Sequence, residues 1–204
     1  MFNITISIIA ITGIISLAGF RNGKIVDELI FWPPAINKKF QYYRFITCGL
    51  IHADLMHLLF NMITLYFFGR IMEAHYQGEL GLQPYYYLAL YIGALIVSNI
   101  PTYLKHRTDY DYRSLGASGA VSAVLFSFIL LRPWQQIIVL VFPVPAIVYG
   151  GLFLIYSAYM SRKGGDHINH DAHFYGALFG IIFTIAVSPD VINTFMNEFR
   201  HPHF

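Results

Sequence analysis

Charge is scarce in this sequence. Asp, Glu, Lys and Arg make up 12% of its 204 residues, about half the share usual in soluble domains. The net charge is +2, too little to draw a nucleic-acid backbone, so no nucleic-acid partner is expected. A single cysteine, Cys48, excludes an internal disulfide framework. The nine histidines include no HExxH pair, which removes the common zinc-protease signature. No low-complexity tract and no internal repeat is visible, which speaks against the repeat-built transporters. The first 20 residues lack a basic leader and an Ala-x-Ala site, so they are expected to stay as a first span.

Apolar and aromatic residues fill the space that charge leaves. The chain is 56% hydrophobic and 17% aromatic, with 18 Phe and 15 Tyr. That balance belongs to the membrane class, and the aromatics suit a long interface with headgroups. A bilayer core takes roughly 20 apolar residues per helix. Six stretches meet that length or nearly do, the fifth being long: 3–20, 55–72, 82–104, 114–131, 133–161 and 172–189. The expected fold class is an all-α membrane protein, a six-helix bundle forming one domain over 1–204, with no soluble domain at either end. Arg70 lies near the end of the second span, where a long side chain can snorkel. Pro143 and Pro145 fall in the fifth, so a kink or loose packing is expected there. Between the first two spans, residues 21–54 mix Phe31, Trp32, Tyr42 and Tyr43 with Lys38, Lys39 and Arg44. Such a segment is expected to lie at the headgroup boundary, in contact with lipid.

Polar groups inside spans are costly and become functional candidates. The segment HADLMHLLFNM brings His52, His57 and Asn61 to the start of the second span. RSLGASGAVSAVLF brings Ser118 to the start of the fourth, and HINHDAHFYGALFG brings His167, His170 and His173 to the start of the sixth. Spans alternate in direction, so the second, fourth and sixth begin on one side of the membrane. Their first turns then share one depth. His57 and Asn61, four apart, share a helix face. His173, Gly176 and Gly180 share another, and the two glycines form a GxxxG pair that admits a close neighbour. Gly116, Gly119 and Ala123 surround Ser118 and Ser122 with small residues. Each feature alone has a plain explanation: packing for the glycines, a back-bonded hydroxyl for the serine, an interfacial position for the histidine. Their coincidence at one depth is what points to a site.

The residue types then specify chemistry. A serine hydroxyl needs a base to become a nucleophile, and histidine ordinarily titrates near 6.5. His173 is the candidate base and Ser118 the candidate nucleophile. The Ser118 backbone N–H, at a helix start, and His57 and Asn61, on the facing helix, are candidate donors to an oxyanion. Asp171 sits two residues before His173, on the far face of that helix, so a Ser–His dyad is expected rather than a triad.

GASGAVSA, HADLMHLLFNM and AHFYGALFG resemble the signatures of the rhomboid intramembrane serine proteases. The patterns GxSG, HxxxN and AHxxGxxxG occur in order, on the matching spans. The resemblance implies hydrolysis of peptide bonds in transmembrane protein substrates, near helix-destabilising residues, without metal or other cofactor. It implies Ser118 as nucleophile, His173 as base and His57 and Asn61 at the oxyanion. It also implies a partly embedded first loop and a fifth helix that gates substrate, in line with Pro143 and Pro145. Four positions depart from the pattern. Tyr43-Arg44 stands where many members have Trp-Arg. Ser122 stands where many have an aromatic stacked on the base, which leaves a Ser122 hydrogen bond as one way to orient His173. Phe174 and Tyr175 replace small or aliphatic residues.

Orientation has two indicators. Ten Lys and Arg lie on the side holding the loops after spans one, three and five, against Arg70, Arg132 and Arg200 on the other. That bias would face the site to the cytoplasm, whereas the resemblance implies an extracytoplasmic site in a cell membrane, and the resemblance is followed. Two rival functions stay in view: a silent rhomboid-like factor that binds membrane proteins without cutting them, and a metal-binding membrane protein using His167, His170 and His173.

Overall fold

A computed structural model of the chain describes residues 3–139, 141–165 and 168–202. Asn3 caps the first helix, α1 (Ile4–Arg21), by accepting the Ile6 N–H at 2.9 Å. Three short helices follow: α2 (Gly23–Leu29), α3 (Pro33–Lys39) and α4 (Arg44–Thr47). Asp54 then caps a long helix, α5 (Leu55–Glu79), which loosens into π-helical turns at Leu65–Gly69 and His75–Glu79. Pro84 starts α6 (Pro84–His106), using a position where its missing N–H costs nothing. After a loop come α7 (Ser118–Leu131), a hairpin of β1 (Gln136–Val139) and β2 (Phe142–Pro145), α8 (Ala146–Lys163), α9 (His170–Val187) and α10 (Val191–Arg200).

Four of the described helices are long and apolar enough to cross a membrane: α1, α5, α6 and α9. The chain is a multi-pass membrane protein. α7 is apolar but has only 14 residues. α8 has 18 residues but ends on Arg162 and Lys163 and falls short of that apolarity.

Two sequence expectations need correction. The fourth stretch does not become helical at 114; residues 114–117 are loop and the helix begins at Ser118. The fifth stretch is not one kinked helix over 133–161. Its first part is a two-stranded antiparallel hairpin in which Pro143 faces Ile138 and Pro145 faces Gln136. Proline cannot supply a helical N–H and pushes its predecessor toward extended backbone. Alternating prolines therefore hold this segment as strand, and the helix starts only after Pro145. The prolines precede α8 rather than bend it. The amphipathic α10 was not foreseen.

α7 is the central post. Residues 119–129 are all buried, as expected of a helix that is apolar on every side. α9 lies against it with no side chain between them: a Cβ on Gly176 would fall on the Gly119 carbonyl oxygen, and one on Gly180 on the Ala123 carbonyl oxygen. Next to this contact a buried polar chain crosses the helices. The Tyr76 hydroxyl lies 3.2 Å from Thr184 Oγ1, which donates to Ser127 Oγ at 2.8 Å, and Ser127 Oγ meets the carbonyls of Ala123 and Gly180 at 2.9 and 3.1 Å. On the other flank, the Glu73 carboxylate accepts the Ile4 and Thr5 N–H groups at 2.7 and 2.9 Å, tying α1 to α5.

The segment between α1 and α5 has a small core of its own, Phe31, Ile36 and Cys48 packed with Phe45, Tyr103 and Tyr112. Arg44 is buried within it, bonding Gln41 Oε1, the Asp27 carbonyl and the Ile30 carbonyl at 2.7–2.9 Å. Phe40, Tyr42 and Tyr43 remain exposed.

The backbone contact predicts that even one methyl group is too much. Overpacking costs about 1–3 kcal/mol, or roughly 2–12 °C in a chain of this size. Gly176→Ala and Gly180→Ala should each lower the thermal midpoint in detergent by that amount. Gly151→Ala, with no atom within 4 Å of the added carbon, should leave it unchanged or raise it.

Candidate active site

The loop before α7 shapes the site. Gly116 has φ +112°, a conformation that favours glycine, and a Cβ there would sit 2.6 Å from His57 Cε1. Its N–H donates to the Cys48 carbonyl at 2.9 Å. Gly116 is thus a loop residue cradling an imidazole, not the helix-packing glycine expected from sequence. Gly119 does pack helices: its missing Cβ leaves room for Ser98 of α6 and the Ala172 carbonyl of α9.

Ser118 is the first residue of α7, and His173 lies in the first turn of α9. Their side chains meet, with Ser118 Oγ 2.8 Å from His173 Nε2. The first rung of the α7 ladder is Val121 N–H to the Ala117 carbonyl, at 3.0 Å. The N–H groups of Ser118, Gly119 and Ala120 therefore lie outside that ladder. Across from them, His57 and Asn61 of α5 line the same cavity of about 710 Å³. Asn61 donates one N–H to the His57 carbonyl at 3.0 Å, and an amide carries two. The cavity lining is polar at Asp54, Arg113 and Asn169 and apolar at Phe60, Val121, Leu125 and Tyr149.

Asp171 bonds Ser161 and lies 3.8 Å from Lys105. It braces α8 and α6 rather than the imidazole. Asn169 caps α9 through the Ala172 N–H at 3.1 Å and accepts from Thr102 of α6 at 2.9 Å, fixing the turn that carries His173.

Two participants were not singled out from sequence. Ser122 lines the cavity, but an aromatic from another helix covers the base: the Phe153 ring of α8 stacks on His173 with centroids 5.7 Å apart and planes at 24°, while His170 meets it edge-on at 5.7 Å. Tyr149 and Phe153, four apart on α8, stack at 5.9 Å. That spacing was the available signal. It was hidden in a stretch read only as apolar.

The second is the role of His52. Ser16 of α1 donates to the Leu50 carbonyl at 2.9 Å and receives His52 Nδ1 at 3.0 Å. With the proton on Nδ1, Nε2 accepts the Ala117 N–H at 3.4 Å. Burial, then the nearby His57, pushes the His52 pKa down to about 3 against an opposing pull from Asp54. A neutral His52 therefore holds the residue before Ser118. The thiol of Cys48 is pushed up to about 12 by burial, so it stays protonated and is no rival nucleophile.

His167 lies outside the described residues, so the three-histidine set has no described geometry. Among the described residues, no three His, Cys, Asp or Glu are grouped to hold a metal ion.

The family model for the Rhomboid domain matches residues 39–190. The chain belongs to the rhomboid family. It is 30% identical over 160 residues to Rhomboid-like protein 15 of Arabidopsis thaliana, covering 74% of this chain and 40% of that protein. It is 28% identical over 180 residues to the mitochondrial RHOMBOID-like protein 12 of the same plant, covering 80% and 46%. With its chloroplastic Rhomboid-like protein 11 the identity is 31% over 160 residues, covering 72% and 53%. The chain thus spans about half the length, or less, of these rhomboid relatives. The matched region holds Ser118, His173, His57 and Asn61, but not α1 with Ser16.

The depressed pKa of His52 fixes the sign of a pH effect. Unfolded, the side chain binds its proton near 6.5; folded, only near 3. Between those values the unfolded state holds more protons, so stability present above about 6.5 is lost as pH falls. The thermal midpoint in detergent should therefore drop between about pH 7 and pH 4. His52→Gln, which does not titrate, should show a shallower drop over the same range.

Proposed function

We propose that this rhomboid-family chain is an intramembrane serine endopeptidase with a Ser118–His173 dyad. The observation that carries it is the 2.8 Å contact between Ser118 Oγ and His173 Nε2, both lining one cavity. His173 takes the Ser118 proton as Oγ attacks the scissile carbonyl. The oxyanion is stabilised by the Ser118 N–H, the second N–H of Asn61 and the His57 ring. His173 then protonates the leaving amine, and water entering the cavity hydrolyses the acyl-enzyme by the reverse transfer.

The same reading fills in the rest of the molecule. α7 and α8 join the four long helices as spans, giving six in one rhomboid domain. The exposed Phe40, Tyr42 and Tyr43 rest the α2–α4 segment in the headgroup layer. Substrates are transmembrane proteins whose helix frays near the cut, since a peptide bond must leave its helix to reach Ser118. The site faces away from the cytoplasm, and no cofactor takes part.

A fluorophosphonate probe in detergent should label Ser118 alone among the serines, because Ser122 lies a full turn inside the helix without free amide donors. Ser118→Ala and His173→Ala should each abolish labelling and the cleavage of a model transmembrane substrate. Asn61→Ala should lower kcat by about a hundredfold with KM little changed, as expected for an oxyanion donor. Cleavage by the Ser118→Ala protein, or its arrest by EDTA, would refute the assignment.

A further inference from the structure

We propose that Phe153 is a positioning residue for His173, so that the seating of α8 sets the aim of the imidazole at Ser118. The inference rests on the protease reading for its kinetic consequence and on geometry for its cause.

The imidazole can turn about its Cβ–Cγ bond, and only a narrow range of that rotation points Nε2 at Ser118 Oγ. A near-parallel ring over one face blocks the rotation. Phe153 is that ring, at 5.7 Å and 24°. It is itself wedged, with Tyr149 stacked at 5.9 Å and Phe126 of α7 tilted at 5.9 Å. The near-parallel ring on the imidazole thus comes from α8, beside the edge-on His170 of its own helix, and not from the nucleophile's helix, where Ser122 is too small to cover it.

α8 is a peripheral element. Only Ala146, Gly150 and Ser157 are buried along it, while Val148, Leu152, Ile155, Tyr156 and Tyr159 are exposed. It enters from a hairpin. Gly150 seats it on α7, where a Cβ would come 2.8 Å from Ile129 Cδ1 and 3.4 Å from Phe126. Tyr149 and Phe153 also line the cavity, together with Phe60, Asn61 and Thr64 of α5. The ring that orients the base therefore belongs to the wall a substrate meets. A shift of α8 moves both together.

Aromatic character, not bulk, is the property required. Phe153→Leu and Phe153→Met keep an apolar side chain without a planar face, and Phe153→Tyr keeps the face. With a model transmembrane substrate, both non-aromatic variants should lose about ten- to a hundredfold in kcat, the scale of a misaligned reacting pair, with KM changed less than about twofold. Phe153→Tyr should keep kcat within about threefold of the parent. In histidine-labelled protein in detergent, the His173 ring protons, assigned with His173→Ala, should carry a ring-current shift that Leu and Met remove and Tyr keeps. An unchanged kcat in the folded Leu or Met variant, a loss confined to KM, or failure of Tyr to preserve kcat would overturn the proposal. Should the parent chain cut no substrate, the protease reading falls by itself. The His173 signal then still decides: persistence of its shift in Phe153→Leu or Phe153→Met overturns the proposed stack, and its loss there with retention in Phe153→Tyr upholds it.

Discussion

Backbone touches backbone where α7 meets α9, and everything chemical in this molecule hangs on that approach. Gly176 faces the Gly119 carbonyl and Gly180 faces the Ala123 carbonyl, with no space for a methyl group. In a bilayer, apolar side chains gain little by leaving lipid for protein, so helices associate through close packing and interhelical hydrogen bonds. The small residues provide the first and the Tyr76–Thr184–Ser127 chain the second. A one-turn repeat of small residues also fixes the register. Ser118 and His173, each at the start of its helix, are brought level by the contacts beneath them.

The polar end of the bundle is organised from outside these two helices. His52 carries a link from Ser16 of α1 to the Ala117 N–H. Asn169 carries one from Thr102 of α6 to the first turn of α9. Gly116 bends the loop around His57. The nucleophile loop and the base helix are each tied to a neighbour by a neutral hydrogen-bonding group, which avoids burying net charge.

Much of this was legible in the residues. Alternating span direction and GxxxG spacing were enough to bring Ser118, His173, His57 and Asn61 to one place, because both are properties of local sequence. The boundaries of α1, α6 and α9 fall within two residues of the apolar stretches. The hairpin at 136–145 was not seen, because a hydropathy window averages Pro143 and Pro145 into their apolar neighbours and loses their backbone preference. Gly116 was grouped with the packing glycines because sequence gives no φ angle. Phe153 was missed for a different reason: its partner His173 lies on another helix, and its four-residue spacing from Tyr149 is only a weak local cue among 18 phenylalanines. The hydrogen bonds of His52 likewise join residues 36 and 65 positions apart.

The brevity of α7 has a thermodynamic consequence of its own. Its 14 residues rise about 21 Å, against a hydrocarbon layer of about 30 Å. On the six-span reading, such a post among longer helices cannot reach both surfaces, and its first residue, Ser118, opens on the cavity instead of on a headgroup layer. Free amide groups at that helix end would be intolerable to lipid, so on that reading the cavity has to carry water to them. A short helix in this setting therefore acts as a well, drawing solvent to a depth where unassisted water would be vanishingly dilute.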